Sequence, residues 1–297
     1  MGWVRAEEAG AVGAVRRKAV ALAEAAGFDQ LLVSRLAVAV SEAVSNLVKH
    51  AREGAALVRP HPEAPATVEL IALDRGPGMA DVARALRDGY STSGTLGIGL
   101  GAISRSASGY DVHSLPGKGT VLAMYFTAGR TARPPLRVSG VTRAGGDGFA
   151  VHRAGPVTTV LVCDAAARLL PEVGGQEPQA VVARLRAATA GAGGIAVARV
   201  EPGRVSFAGV GDVSGWVVHG GRRRGLTPGD GARGYALPAH ATVVLHTGGL
   251  AGRWDPAALP GLFTRTPAVI AAALMREADG GGDDVCVVTV RPGRDDA

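Results

Sequence analysis

The sequence has few cysteines and few aromatic residues. Its 297 residues include only two cysteines, and each lies in an apolar, strand-like run, VLVCDA around Cys163 and DDVCVVTV around Cys286. No cysteine or histidine stands at metal-ligand spacing from either one, so we expect two buried thiols rather than a disulfide or a metal site. Aromatic residues make up 4% of the chain, so its cores have to be built from alanine, valine and leucine.

Long hydrophobic runs are also missing. The first thirty residues carry several charges, among them Arg5, Glu8 and Lys18, which excludes the apolar core of a secretory signal there. The apolar run at 268–275 is far shorter than the ~20 residues that a membrane-spanning helix needs. We therefore expect a cytoplasmic protein that has no membrane partner.

Acidic residues are outnumbered by basic ones. The net charge is +6 and the pI is about 9.9, a balance that can indicate nucleic-acid binding. The arginines are scattered, however, and few aromatic residues interleave with them for base stacking. The one cluster, at 222–224, is interpreted as a solvated loop. We expect no nucleic-acid partner, whereas an acidic protein partner would fit the charge.

Glycine, in contrast, is abundant at 44 residues, and two glycine turns stand close together at 74–78 (DRGPG) and 94–101 (GTLGIGLG). Glycine lets a ligand approach the backbone closely, and a glycine-rich loop that opens a helix offers N–H groups to phosphate. Asp74 follows the apolar run VELIAL, so it lies where a strand ends. A carboxylate there can accept a hydrogen bond from an exocyclic amine such as that of adenine.

A polar stripe marks the helix predicted upstream at 31–52. Glu42, Asn46 and His50 are spaced i, i+4 and i+8, which puts all three on one helical face. The other faces carry apolar residues such as Leu36, Val40 and Val44. The stripe is either a solvated face or a site, and its spacing alone does not decide between them.

Together these stretches resemble the four ATP-binding boxes of the GHKL, or Bergerat, fold. The matching segments are SEAVSNLVKHA at 41–51, DRGPGM at 74–79, LRDGYSTSGTLGIGLGA at 86–102 and LPGKGTVL at 115–122. They are most similar to the serine kinase branch of bacterial partner-switching systems. The resemblance covers about residues 10–126 and implies a two-layer α/β domain that binds ATP with Mg²⁺.

The resemblance also implies roles for single residues. Glu42 would be the general base for an attacking water or serine hydroxyl, and Asn46 would bind the Mg²⁺ that bridges the ATP phosphates. His50, on the same face, would be a further cofactor-binding residue. Asn46 suits this role because Mg²⁺ prefers oxygen ligands, and phosphoryl transfer depends mainly on positioning and charge neutralisation. The implied contacts to adenine and phosphate come from Asp74, Gly76, Gly78, Gly97, Gly99, Leu100 and Thr120.

Periodicity and turn signals predict the elements of this first domain. They are helices at 9–26, 31–52, 79–87 and 98–108, a strand at 66–73, and a hairpin of 110–115 with 120–126. Residues 54–65, with three prolines, are interpreted as a loop, 88–95 as a mobile lid, and 2–5 as a very short opening strand. The segment AGRTARPPL at 128–136 is typical of a linker, so the predicted domains are 1–127 and 137–297.

The second half is mostly strand-like, with six short apolar runs and two alanine-rich helical stretches, at 179–190 and 267–278. Many strands with few helices predict two packed sheets flanked by helices. Asp147, Asp164 and Asp283 with Asp284 each lie at a strand end. Carboxylates that converge there can hold a pair of divalent cations, although the same sequences are also ordinary turn caps.

The second half resembles the SpoIIE-type metal-dependent serine phosphatases. The similar segments are GGDGFAV, TTVLVCDA, RVSFAGVGDVSGWVV, ATVVLHTGGL and GGDDVCVVTVRPG, and the match implies Mn²⁺ or Mg²⁺ ligands at Asp147, Asp164 and Asp283. The family usually has Thr-Asp-Gly where this chain has Thr247-Gly248-Gly249, so one metal-binding carboxylate is missing. The fold expected for this half is an α+β β-sandwich, which serves either as a slow phosphatase or as a relic that only binds a partner.

The first hypothesis is therefore a partner-switching regulator. Its first domain would bind Mg-ATP and phosphorylate a serine or threonine of a small antagonist protein, of the anti-anti-sigma or stressosome type. Its second domain would act on the same kind of phosphoprotein, and joining the two would raise their local concentration for that partner. The alternative is a nucleotide-gated binding module that controls a sigma-factor regulator without useful turnover.

Overall fold

The computed structural model describes residues 2–85, 99–129, 137–143, 146–164, 176–227, 229–250, 254–278 and 284–291. The chain divides into two compact units, Met1–Pro135 and Leu136–Ala297, and each is described by itself. The predicted lid at 88–95, most of the predicted linker, and the predicted site residues Gly97 and Asp283 lie outside the described residues.

The first unit is a five-stranded antiparallel sheet in the order β1-β2-β3-β5-β4. Its strands are β1 (Val4–Arg5), β2 (Ala55–His61), β3 (Ala64–Leu73), β4 (Gly109–Leu115) and β5 (Gly119–Thr127). Its helices are α1 (Gly10–Ala25), α2 (Gln30–His50), α3 (Val82–Ala85) and α4 (Gly99–Ser106). The apolar faces of α1 and α2 form one core with residues of β2, β3 and β5.

Local sequence signals fix the two long helices. Gly27, just beyond α1, has φ +76°, a conformation that favours glycine and ends the helix. The carboxylate of Asp29 then accepts a hydrogen bond of 2.8 Å from the Leu32 N–H and caps α2. Leu36, Val40 and Val44 are buried in α2, as the apolar pattern predicted.

The predicted loop at 54–65 is wrong, because residues 55–61 form strand β2. Proline is tolerated in a strand only where its missing N–H faces away from a neighbour or at a bulge. Both conditions hold for Pro60: β1 pairs with β2 only at Ala55 and Ala56, and the register with β3 shifts between Pro60 and His61. The predicted helix at 79–87 is also shorter, since its described part is helical only over Val82–Ala85.

Helix α2 is also, among the described residues, the one helix long and apolar enough to cross a membrane by length and composition. Such a composition suits a core helix equally well. Its buried residues belong to the core of the first unit, which accounts for the apolar content.

The second unit is a sandwich of two five-stranded antiparallel sheets, in the orders β13-β10-β9-β8-β7 and β12-β11-β14-β15-β6. The first sheet contains β7 (Gly148–Ala154), β8 (Val157–Cys163), β9 (Ile195–Glu201), β10 (Arg204–Val210) and β13 (Gly229–Ala236). The second contains β6 (Val138–Arg143), β11 (Val213–His219), β12 (Arg222–Leu226), β14 (Thr242–Thr247) and β15 (Val285–Val290). Valine-rich faces of both sheets share one core, as alternation in strands requires.

Two helices flank the sandwich. Helix α5 (Pro178–Ala188) packs on β9 and β10 through Val181, Val182 and Leu185, and α6 (Pro267–Glu277) packs on β6 and β15. Two sheets with flanking helices agree with the predicted fold class. Both cysteines are free and buried, which confirms the predicted thiols.

The loop predicted at 222–224 is wrong, because these arginines form the edge strand β12. Arg222 and Arg224 are exposed, as expected, whereas Arg223 is partly buried. Stacking explains the difference. The guanidinium of Arg223 lies 4.4 Å from the ring centroid of Trp216 and 4.6 Å from that of Trp254. An arginine held over two indole rings is stabilised by cation–π attraction, so an arginine-rich segment can be a strand when its partners are aromatic.

Candidate functional site

Asp74 lies directly after β3, and backbone groups hold both of its carboxylate oxygens. Oδ1 accepts a hydrogen bond of 2.6 Å from the Gly76 N–H, and Oδ2 accepts one of 3.2 Å from the Thr120 N–H. The Asp74 N–H in turn donates to the Thr120 carbonyl at 2.9 Å. The side chain is 9% exposed. These contacts fix the orientation of the carboxylate, which a recognition group for one edge of a base requires.

Three glycines in the Asp74 turn and the neighbouring hairpin stand at close range to other protein atoms. A Cβ at Gly76 would lie 2.8 Å from Asp74 Oδ1, one at Gly78 would lie 2.0 Å from the Leu115 carbonyl oxygen, and one at Gly119 would lie 2.0 Å from the Asp74 carbonyl oxygen. Gly78 and Gly119 also have positive φ angles of +66° and +79°. Because no other residue fits there without displacing backbone, the glycines form a cradle beside Asp74.

Ser114 ties the two turns of the cradle together. Its hydroxyl oxygen accepts a hydrogen bond of 2.8 Å from the Met79 N–H and lies 2.9 Å from the Thr120 hydroxyl. It is also 3.1 Å from the Gly119 carbonyl, to which it can donate. The sequence interpretation missed Ser114, because a serine at the end of a hairpin strand carries no pattern that separates it from an ordinary turn residue.

The polar stripe of α2 runs toward this cradle. Glu42 and Asn46 are partly exposed and His50 is exposed, whereas Ala43, Val44 and Leu47 on the other side are buried.

The last turn of α2 abuts the glycine turn. A Cβ at Gly76 would lie 3.1 Å from the His50 carbonyl oxygen, and the Arg75 N–H donates to the Arg52 carbonyl at 2.8 Å. The structure therefore places the end of the polar stripe beside the Asp74 turn.

The predicted phosphate-binding box is described only in part. Helix α4 (Gly99–Ser106) packs against α2, and Gly99 and Leu100 are its first two residues. Backbone N–H groups at a helix start attract phosphate. The donor types of this unit, an amide, carboxylates and the N–H groups of a helix start, suit a nucleotide with Mg²⁺.

In the second unit, strand pairing brings two of the predicted metal ligands to one end of the sandwich. Gly148 pairs with Cys163, so Asp147, just before β7, and Asp164, just after β8, are neighbours across the ladder. Asp284 contacts the same end, where its Oδ2 accepts a hydrogen bond of 3.0 Å from the Gly146 N–H. Within the described ranges, no three His, Cys, Asp or Glu side chains form a group that could hold a metal ion.

His246 is buried close to this end of the sandwich. The indole N–H of Trp216 donates to Nε2 at 3.1 Å, and Nδ1 lies 2.9 Å from the Thr247 carbonyl. Since an indole N–H only donates, Nε2 is the acceptor and the proton of the neutral ring is on Nδ1. Burial lowers the pKa of His246 below 6.5, and this outweighs the Thr247 hydrogen bond, which raises it.

A lowered histidine pKa makes the second unit sensitive to acid. The unfolded chain binds more protons than the folded one between the lowered pKa and 6.5, so stability is complete above that window and is lost as the pH falls through it. We expect urea unfolding, followed by tryptophan fluorescence, to shift to lower urea at about pH 5 than at about pH 7.5. His246→Gln keeps an acceptor for the Trp216 indole N–H and should reduce the difference in urea unfolding between the two pH values. An unchanged difference would show that His246 does not cause the loss of stability in acid.

Comparison with known proteins finds relatives of the first unit. The family described as "Histidine kinase-like ATPase domain" matches residues 4–126. The serine/threonine-protein kinase RsbT of Bacillus subtilis (strain 168) is 32% identical over 100 residues, which cover 33% of this chain and 75% of RsbT.

Solved structures similar to this chain include RsbX and a serine/threonine phosphatase. A structure of RsbX in complex with magnesium matches with a TM-score of 0.44 and 13% identity over 54% of this chain and 97% of that one. The serine/threonine phosphatase PstP of Mycobacterium tuberculosis matches with a TM-score of 0.38 and 14% identity, over 53% of this chain and all (100%) of that one.

Proposed function

The chain belongs to the family of histidine kinase-like ATPases that includes the serine/threonine kinase RsbT, and from this premise we propose that its first unit is a protein serine/threonine kinase. It binds Mg-ATP and phosphorylates a serine or threonine of a small antagonist protein, of the anti-anti-sigma or stressosome type. The observation that carries the proposal is the Asp74 carboxylate, fixed by two backbone N–H groups inside a glycine cradle. The polar stripe of α2, formed by Glu42, Asn46 and His50, ends beside the Asp74 turn.

Each residue then has one task. Asp74 accepts a hydrogen bond from the exocyclic amine of adenine. Gly76, Gly78 and Gly119 let the neighbouring turns pack closely around Asp74, which holds its carboxylate in place for that contact. The side-chain oxygen of Asn46 holds the Mg²⁺ that neutralises charge on the phosphates. Gly97, Gly99 and Leu100 contribute N–H groups to the phosphates, and His50 borders the same face of α2.

Phosphoryl transfer needs a base and a fixed geometry. Glu42 takes the proton of the attacking serine or threonine hydroxyl while that oxygen forms its bond to the γ-phosphorus. The bond from the γ-phosphorus to the β–γ bridging oxygen breaks, and ADP leaves with that oxygen. The protein has little other covalent chemistry to perform. Positioning and charge neutralisation therefore supply most of the rate acceleration of phosphoryl transfer.

Asp74→Asn tests the adenine assignment. An asparagine offers one acceptor instead of two, so it cannot receive the Gly76 and Thr120 N–H groups and still face an adenine amine. A hydrogen bond to a charged acceptor contributes about 1.5–3 kcal/mol, so we expect ATP affinity to fall by about 10- to 150-fold. Calorimetric titration with a non-hydrolysable ATP analogue and Mg²⁺ measures this.

The matched control for Asp74→Asn is Asp111→Asn, on strand β4 of the same sheet, whose Oδ1 accepts a hydrogen bond from the Val112 N–H. It removes the same charge from the same unit and should leave ATP affinity unchanged. Equal affinities for Asp74→Asn and the wild type would exclude Asp74 as the adenine contact.

For the second unit we infer a phosphatase that acts on the same kind of phosphoprotein. The support is the sequence resemblance to SpoIIE-type phosphatases, with Asp147 and Asp164 brought to one end of a sandwich of two sheets. A binding role is the second candidate, because the described residues form no group of three that could hold a metal ion. The full chain is assayed for Mn²⁺-dependent hydrolysis of para-nitrophenyl phosphate. Hydrolysis that is lost in Asp147→Ala would support the phosphatase, and no hydrolysis would support the binding role.

A further inference from the structure

At one side of the second unit's sandwich, the edge strands β12 and β13 lie close together. Each is the last strand of its sheet, and within the described residues β12 pairs only with β11 and β13 only with β10. The Tyr235 hydroxyl accepts a hydrogen bond of 2.8 Å from the Thr227 N–H, and the Arg224 guanidinium lies 5.1 Å from the Tyr235 ring centroid. An edge strand presents a row of backbone N–H and C=O groups that its own sheet does not pair.

This side of the sandwich is basic. Arg222 and Arg224 on β12 and Arg233 on β13 are exposed, and none of them forms an ion pair within the part of the chain that the structure describes. Strand β12 contains no acidic residue, and β13 contains one, Asp230. Like charges on paired strands are destabilising and opposite charges are stabilising. A second copy of the β12 edge would therefore be repelled, and an acidic strand would be attracted.

Arg223, in the same run of β12, is fixed in position by the indole rings of Trp216 and Trp254. Its Nη1 atom is buried and has no hydrogen-bond partner among the described residues, and the same holds for the indole N–H of Trp254. Buried donors are normally satisfied, so this cluster lacks an acceptor that another molecule could supply. Arg223 as a whole is partly exposed, so a carboxylate can approach the guanidinium while the indoles hold it.

Arginines on an edge strand can also serve to keep other strands away. That role needs only charge in solvent, whereas a guanidinium stacked on two indoles is oriented as recognition of a carboxylate requires. A planar guanidinium binds a carboxylate through two parallel hydrogen bonds, and a fixed one loses less conformational entropy when it does so.

We propose that the β12 edge is a docking site for an extended, acidic segment of a partner protein. The segment adds a strand beside β12 and places a carboxylate on Arg223, while Arg222 and Arg224 add charge complementarity. In such strand addition, main-chain hydrogen bonds supply affinity and side chains supply specificity. A nucleic acid fits less well, because Arg223 occupies the indole faces on which bases would stack. The docking site is a function beyond the two proposed enzyme activities.

The test compares two ten-residue peptides, one of alternating glutamate and valine and one of alternating glutamine and valine. Each is titrated by calorimetry into the full chain without nucleotide or metal. We expect the glutamate peptide to bind at least about tenfold more tightly and to weaken as the salt concentration rises. Methylation of every peptide nitrogen in the glutamate peptide removes the N–H groups that pair with β12 and should weaken binding at least about tenfold.

Arg223→Gln should weaken binding of the glutamate peptide by about 10- to 150-fold, since it removes a hydrogen bond between charged groups. Arg222→Gln removes only an exposed charge and should cost at most about fivefold. The matched control is Arg186→Gln, which removes the same charge from an exposed position of α5 and should leave the affinity unchanged.

Three outcomes would overturn the docking site. They are equal affinity for the glutamate and glutamine peptides, unchanged affinity in Arg223→Gln, and tighter binding of a single-stranded oligonucleotide than of the glutamate peptide. Circular dichroism checks that Arg223→Gln is folded, and the comparison of peptides needs no variant. The kinase and phosphatase proposals would survive such a failure, because phosphoryl transfer and hydrolysis of para-nitrophenyl phosphate test them separately.

Discussion

Glu42→Ala is expected to abolish phosphoryl transfer and to leave ATP binding nearly intact. Glu42 lies one turn before Asn46 on the partly exposed face of α2, so its carboxylate can reach a hydroxyl near the phosphates without contacting the adenine cradle. A general base contributes about 10²- to 10⁴-fold to a rate, and transfer should fall by that factor. The readouts are ADP formation and ³²P transfer from labelled ATP in the presence of a small antagonist protein.

Two variants make the Glu42 result specific. Glu42→Gln keeps the size and hydrogen bonding of the side chain but cannot take a proton, so it should be as inactive as Glu42→Ala. Glu24→Ala removes an exposed glutamate from α1 and should transfer phosphate normally. Normal transfer by Glu42→Gln would show that another group takes the proton.

Gly119→Ala should both unfold the first unit more easily and remove ATP binding. The new Cβ would lie 2.0 Å from the Asp74 carbonyl oxygen, at a residue with φ +79°. Backbone strain of this kind costs about 1–3 kcal/mol, and overpacking against fixed backbone adds about 1–3 kcal/mol. The free energy of unfolding should therefore fall by about 2–6 kcal/mol, and Asp74 should shift away from the adenine position.

The hairpin offers a matched control two residues earlier. Gly117 has nearly the same backbone angle, φ +75°, but no atom lies within 4 Å of its ideal Cβ position. Gly117→Ala should therefore cost only the conformational strain, about 1–2 kcal/mol, and should bind ATP like the wild type. Urea unfolding and calorimetric titration of both variants measure the difference. Equal losses in the two would mean that the contact with Asp74 does not matter.

Much of the first unit could be predicted because its signals are local. The period of apolar residues predicted α1 and α2, and Gly27 marked the end of α1 by its positive φ. Strand β2 was missed because Pro60, with Pro62 and Pro65 soon after it, is typical of a loop. Only the pairing pattern, with a free edge and a bulge at Pro60, shows why the strand tolerates this proline, and no window of sequence contains that information.

In the second unit, too, the local sequence could not predict the contacts of the arginines or those around Gly248. Arg223 is held by Trp216 and Trp254, and Trp254 is thirty-one residues away in the chain, so the local pattern indicated only charge. Gly248 was identified as a missing carboxylate by its motif. The Asp212 carboxylate lies where a side chain at Gly248 would project, and this contact depends on the register of β11 with β14, which links residues far apart in sequence.

The most direct test of the account is the fate of the γ-phosphate. The full chain is incubated with Mg²⁺, γ-labelled ATP and a purified anti-anti-sigma or stressosome-type protein, and the products are mapped by mass spectrometry. We expect a phosphorylated serine or threonine on the small protein, absent with Glu42→Ala and with Mg²⁺ removed. ATP that is bound but never transferred, or a label found on a histidine of the chain itself, would contradict it.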